Sequence, residues 1–120
     1  MVVRAKDVLG RRGEDLATEL LLHQGYAVLD RNWRCDIGEI DVVARDGDEL
    51  VLCEVKTRTS TMFGTPLEAV DWRKVQRLHR LGQRWLAGHD AHPVVVRVDV
   101  VAVLIPRFGK PSLEHLRDIS

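Results

Sequence analysis

An α/β fold, with a mixed β-sheet flanked by helices, is predicted by three features of this 120-residue chain. Two stretches, about Lys6 to Gln24 and Asp71 to about Ala87, carry apolar residues at helical spacing. Between them, three β-rich runs follow one another with short turn signals, the pattern of an antiparallel meander. A β-branched run then follows the second helix. A strand, a crossover helix and a second strand normally lie parallel in one sheet with right-handed connectivity. The element order is therefore α-β-β-β-α-β, and a chain of this length fits one domain over residues 1–120.

In the first helix Leu9, Ala17, Leu20 and Leu21 form the stripe, Gly25 is the stop, and Gly10 and Gly13 weaken the first turns. The first strand begins at Tyr26-Ala27-Val28-Leu29 and continues through Asn32-Trp33-Arg34 after a kink. Cys35 to Gly38 is a turn, Glu39 to Arg45 the second strand, Asp46-Gly47-Asp48 a hairpin, and Glu49 to Thr57 the third strand. Arg58 to Gly64 reads as a flexible loop. Thr65-Pro66-Leu67-Glu68 has the form of a capping box, and Asp71 caps a second helix start. That helix has Trp72, Val75, Leu78, Trp85 and Leu86 on its apolar stripe. Pro93 to Leu104 is a core strand, too β-branched and too interrupted by charge for a membrane helix. Pro106 to Ser120 is a polar tail with Leu113, Leu116 and Ile119 as packing residues, and residues 1–6 and about 107–120 are expected to be flexible.

The composition, 45% hydrophobic and 30% charged, is that of an ordinary globular protein. Eighteen basic residues balance eighteen acidic ones, so any polyanion site must be local. Cys35 and Cys53 lack CxxC spacing, which argues against a zinc site or a disulfide framework and for a reducing cytoplasm. No signal peptide or membrane span is expected, and the five histidines read as surface residues.

The chemistry lies in two runs, Gly38 to Val43 and Leu52 to Arg58, which put charges into buried-looking strands. Side chains alternate along a strand, so Glu39 and Asp41 share a face, as do Glu54 and Lys56. Charges in an apolar sheet are costly unless they pair, bind a metal or contact a charged ligand. Asp41 and Glu54 suit Mg²⁺ or Mn²⁺, hard ions that accept phosphate oxygens. Lys56 points to the same side and is placed to neutralise charge on a phosphate. Glu14 shares a helical stripe with Ala17 and Leu21, which turns it toward the sheet as a third carboxylate. Any one of these pairs alone also fits a same-face ion pair on a half-exposed strand. Arg73, Lys74, Arg77, Arg80 and Arg84 form a basic helix suited to a phosphate backbone or, equally, to a solvated face. Arg58 and Arg34 add bases on either side of the acidic strands. Trp33, between Arg31 and Arg34, is a better candidate for base stacking than Trp72 or Trp85.

The runs Gly13-Glu14-Asp15-Leu16-Ala17, Gly25-Tyr26, Arg31-Asn32-Trp33-Arg34, Gly38-Glu39-Ile40-Asp41, Glu54-Val55-Lys56-Thr57-Arg58, Gly64 to Val70 and Lys74 resemble the YraN-like family of bacterial proteins over nearly the whole chain. That family is similar to the restriction-endonuclease-like, PD-(D/E)XK superfamily, which includes archaeal Holliday-junction resolvases. By position Asp41 matches the superfamily aspartate, Glu54 and Lys56 the (D/E)xK pair, and Glu14 the helix-one glutamate of the resolvase-like branch. The resemblance implies Mg²⁺- or Mn²⁺-dependent cleavage of DNA, with metal at Asp41, Glu54 and Glu14. Branched substrates and a symmetric homodimer are expected by the same analogy. Two rivals stand beside this reading: a nucleic-acid-binding module without turnover in a DNA-processing assembly, and an acidic cluster that only closes the fold.

Overall fold

The computed structural model describes residues 5–60, 62 and 64–119. Helix α1 (Ala5–His23) is followed by strands β1 (Ala27–Cys35), β2 (Gly38–Asp46) and β3 (Glu49–Arg58). Helix α2 (Trp72–Ala87) then leads to β4 (Val95–Leu104) and β5 (Ser112–Leu116). The five strands make one mixed sheet in the order β1-β2-β3-β4-β5. Pairing is antiparallel everywhere except between β3 and β4, which run parallel across the α2 crossover. A mixed sheet with a helix on each face is consistent with the restriction-endonuclease-like core that the resemblance implies.

One core lies under α1, where Ala17 and Leu21 meet Val42, Ala44, Val51, Cys53, Val101 and Val103. The other lies under α2, where Val75, Leu78, Leu81 and Trp85 meet Ile40, Val43, Leu50, Leu52 and Val98. Strand alternation explains the division, because Leu50 and Leu52 face one layer while Val51 and Cys53 face the other. Each fully buried Leu, Ile or Val among them contributes about 1.5–3 kcal/mol.

Two helical glycines set how closely the helices approach β3. A Cβ at Gly13 would overlap the Thr57 side chain, and one at Gly82 would overlap Leu52. Gly13 is thus a packing device that lets α1 touch β3 next to Glu14, as well as a weak point in the helix.

Several expectations need correction. The tail expected to be flexible over residues 107–120 contains β5, paired with β4 from Val100↔Leu116 to Leu104↔Ser112. Buried groups anchor it: Asp99 accepts Nε2 of His115 at 2.7 Å and the amide of Asp118 at 2.9 Å. His115 therefore is not a surface residue; its side chain is 6% exposed. The flexible segment expected at residues 1–6 concerns residues 1–4, outside the described residues, and the first two positions of α1. The loop expected at Arg58–Gly64 includes residues 61 and 63, also outside them, and Arg58 closes β3.

Around Thr65 the capping-box contacts form, with Glu68 N donating to Thr65 Oγ1 at 3.3 Å, but they close one turn and not a helix. Asp71 is the actual N-cap of α2, accepting the amides of Arg73 and Lys74. Trp72 is 54% exposed and lies off the buried stripe, while Trp33 is half-buried against the α2-side core. The kink in β1 is a register shift between Val28 and Asp30. Cys35 and Cys53 are free thiols, and no helix among the described residues is long and apolar enough to cross a membrane.

Candidate metal centre and nucleic-acid interface

The site arises where the sheet opens. Pairing of β2 with β3 stops at Val42↔Cys53, although β2 stays paired with β1 to Gly38 and β3 stays paired with β4 to Arg58. The next pair in that register would be Asp41 and Glu54. There the strands part, and Asp41 fills the gap by accepting the Val55 amide on Oδ2 at 2.8 Å. An unpaired edge amide in the middle of a sheet needs such an acceptor. The opening also lets groups from both helical layers meet at one place.

From the α1 layer comes Glu14, carried in by the close approach at Gly13. Single carboxylate oxygens of Glu14, Glu39 and Asp41 all lie within 4.8 Å of one another. Oxygen ligands of hard divalent ions sit about 2.0–2.6 Å from the metal, so donors on opposite sides of one ion are separated by about that spacing. An all-carboxylate set suits Mg²⁺ or Mn²⁺ more than a softer metal. Burial, and next the charge of Glu54, push the Asp41 carboxyl up to about 7. The Val55 amide opposes that rise, Glu14 adds to it, and Lys74 lowers it. A carboxyl so placed gains most from a nearby cation.

From the α2 layer come Lys74 and Arg77. With Glu39, Asp41, Glu54, Leu78 and Leu81 they line a cleft of about 320 Å³. Glu54 is buried at 6% exposure, and its Oε1 lies 2.6 Å from Lys74 Nζ. Burial works against the Lys74 charge, but the Glu54 carboxylate outweighs it and holds the ammonium above its ordinary pKa.

The predicted site residues therefore divide. Asp41 and Glu14 come together as expected, while Glu54 faces the same cleft but is bound to Lys74. Lys56 borders a crevice with Glu54, Asp71 and Lys74 and makes no ion pair among the described residues. Arg58 lies further out, with Lys56 in a second groove against Ala102 and Leu104. Arg73 is exposed at the start of α2, and Arg34, also exposed, pairs with Glu39 at 2.9 Å.

The model of the uncharacterised protein family UPF0102 matches residues 13–103, from the Gly13–Glu14 corner of α1 to nearly the end of β4. The chain belongs to this family. A UPF0102 protein of Arthrobacter sp. (strain FB24) is 56% identical over 117 residues, covering 98% of this chain and 99% of the relative. One of Frankia alni is also 56% identical over 117 residues, at 98% coverage of both. One of Streptomyces griseus subsp. griseus is 55% identical over 119 residues, covering 98% of this chain and all of the relative. In this UPF0102 chain the acid that sequence reasoning left out of the candidate metal set is Glu39, whose carboxylate lies with those of Glu14 and Asp41. Its signal was present, because Glu39 and Asp41 stand two apart on one strand, but an exposed strand end explains that spacing equally well.

Proposed function

We propose that this protein is a metal-dependent endonuclease that hydrolyses phosphodiester bonds in DNA. The observation that carries the reading is the half-buried Asp41 carboxylate in the opening of the sheet, with Glu14 and Glu39 beside it and a basic helix above. Glu14, Glu39 and Asp41 would hold the ion, with Glu54 as a further ligand from the facing strand. A bound Mg²⁺ or Mn²⁺ supplies Lewis-acid polarisation of the phosphoryl group. Lys56, close to the cleft and without an ion-pair partner among the described residues, offsets charge gathering on the phosphate. Arg77, Arg73 and Arg58 hold the backbone on either side. Water is the nucleophile: its oxygen bonds to phosphorus as one ester P–O bond breaks, and its proton goes to the departing oxygen. One strand end then carries phosphate and the other a hydroxyl.

By the resolvase analogy, branched DNA is the favoured substrate and a homodimer the working assembly. The test is incubation of the protein with linear, single-stranded, flapped and four-way-junction DNA in Mg²⁺ or Mn²⁺, beside Glu54→Ala and Lys56→Ala. Cutting that requires metal and disappears in both variants supports the reading. A binding module without turnover is the second reading, favoured by the zero net charge and by Lys74 occupying Glu54. DNA binding without cutting on any substrate selects it.

A further inference from the structure

We infer that Lys74 is a positioning residue that couples nucleic-acid binding to assembly of the metal centre. It holds Glu54 in the free protein and releases it when a phosphate takes the ammonium. The inference rests on the nuclease reading above and assigns that site a substrate-sensing step.

Glu54 and Lys74 differ in what they can do alone. Glu54 is nearly enclosed, so its carboxylate cannot turn to water and needs a positive partner in place. Lys74 is 42% exposed in its side chain and reaches the cleft from its solvent side, on the first turn of α2 between Arg73 and Arg77. Meanwhile the three carboxylates whose oxygens already gather do not, among the described residues, include Glu54. The free protein therefore presents a preformed group of three acids and a fourth acid neutralised by lysine.

Two arrangements keep every charge partnered. In one, Lys74 pairs with Glu54. In the other, Lys74 pairs with a backbone phosphate and Glu54 turns to a metal ion. DNA without metal leaves the buried Glu54 carboxylate uncompensated, at high cost, while metal without DNA must break the Lys74–Glu54 pair and leave the ammonium to water. Each ligand therefore makes room for the other, and linkage requires the effect to be equal in both directions. Lys56 has no comparable part, since it has no ion pair to break among the described residues.

The test measures free Mn²⁺ by electron paramagnetic resonance as protein is added, with and without four-way-junction DNA carrying cleavage-resistant phosphorothioate linkages. Mn²⁺ affinity is expected to rise about fivefold or more when DNA is present, with the same factor on DNA affinity when Mn²⁺ is present. Lys74→Gln is expected to bind Mn²⁺ tightly without DNA and to lose the response to DNA. Arg77→Gln, which weakens DNA binding without touching Glu54, should keep the coupling factor. Should Lys74→Gln fail to fold, Glu54→Gln carries the same test from the other side of the pair and is expected to bind Mn²⁺ equally with or without DNA. Binding of both ligands with no mutual effect, or coupling that survives in these Glu54 and Lys74 variants, overturns the inference and leaves the nuclease reading standing. Failure to bind Mn²⁺ or DNA at all defeats both.

Discussion

Lowering the pH from 8 to 6 should weaken Mn²⁺ binding about tenfold, and Asp41 is the reason. Its carboxyl is raised to about 7 by burial and by the Glu54 charge. A group with that pKa is about nine-tenths ionised at pH 8 and about one-tenth at pH 6. A metal binds the ionised ligand, so apparent affinity falls by the ratio of these fractions, equivalent to ~1.4 kcal/mol. Carboxylates near their ordinary values of about 4 stay ionised across the window and contribute no such change. Titration calorimetry in two buffers of different ionisation enthalpy counts the protons directly. About 0.9 proton should leave per ion bound at pH 6, and about 0.1 at pH 8. The same shift has a consequence for stability, with the opposite sense to an ordinary ion-paired acid. Because the folded pKa lies above the unfolded one, the folded state holds the proton more tightly, and stability is lost as pH rises from about 4 through 7. The loss has a ceiling of ~4 kcal/mol, reduced in practice by the partial exposure of Asp41. Asp41→Asn should therefore be more stable than the parent protein at pH 8 and lose that advantage at pH 4. Affinity unchanged between pH 8 and 6, with no proton released, would mean that Asp41 neither titrates in this window nor binds the ion.

Four other outcomes are expected. Gly13→Ala should lose about 1–3 kcal/mol in urea unfolding despite the better helix propensity of alanine, because the added methyl meets Thr57. Arg97→Met removes the guanidinium that bonds Asp99 at 3.1 Å and Asp46 at 3.0 Å, and breaking such a buried network should cost about 3–5 kcal/mol by the same measure. For Asp99 itself, burial works against ionisation, but His115, Arg97 and the Asp118 amide outweigh it and hold the carboxyl below its ordinary value. That part of the stability is present above the unfolded pKa and is lost in acid as pH falls through the folded one, as thermal unfolding at low pH will report. Arg77→Gln should weaken DNA binding evenly across sequences and reduce the slope of log affinity against log salt by about 1, measured by fluorescence anisotropy.

Much of this architecture was legible in the residues because local signals agreed with the tertiary outcome. Asp46-Gly47-Asp48 closes the β2–β3 hairpin, Asp71 caps α2, and the crossover makes β3 and β4 parallel. β5 was not legible. Five residues of weak alternation do not announce a strand, and what holds them is distant: Asp99 binding His115, and Arg117 bonding Asp46 at 2.9 Å. Trp72 was misplaced for a geometric reason. At 100° per residue it stands about 60° past Val75, on the far side of the stripe from Leu81, and so emerges into solvent.

At the candidate site, strand alternation puts Glu54 and Lys56 on one face, but pairing of Glu54 with a lysine twenty residues further on cannot be read from spacing. The place of Glu39 beside Glu14 and Asp41 was hidden for a related reason. It depends on where β2 and β3 separate, and that separation is set by Asp41 taking the Val55 amide.

Anomalous scattering at the manganese edge, from a crystal grown with Mn²⁺, tests the metal centre most directly. A peak is expected about 2.0–2.6 Å from a carboxylate oxygen of Asp41, with Glu14 and Glu39 around it. Well-ordered carboxylates with no peak among them, or an ion bound elsewhere on the molecule, would contradict it.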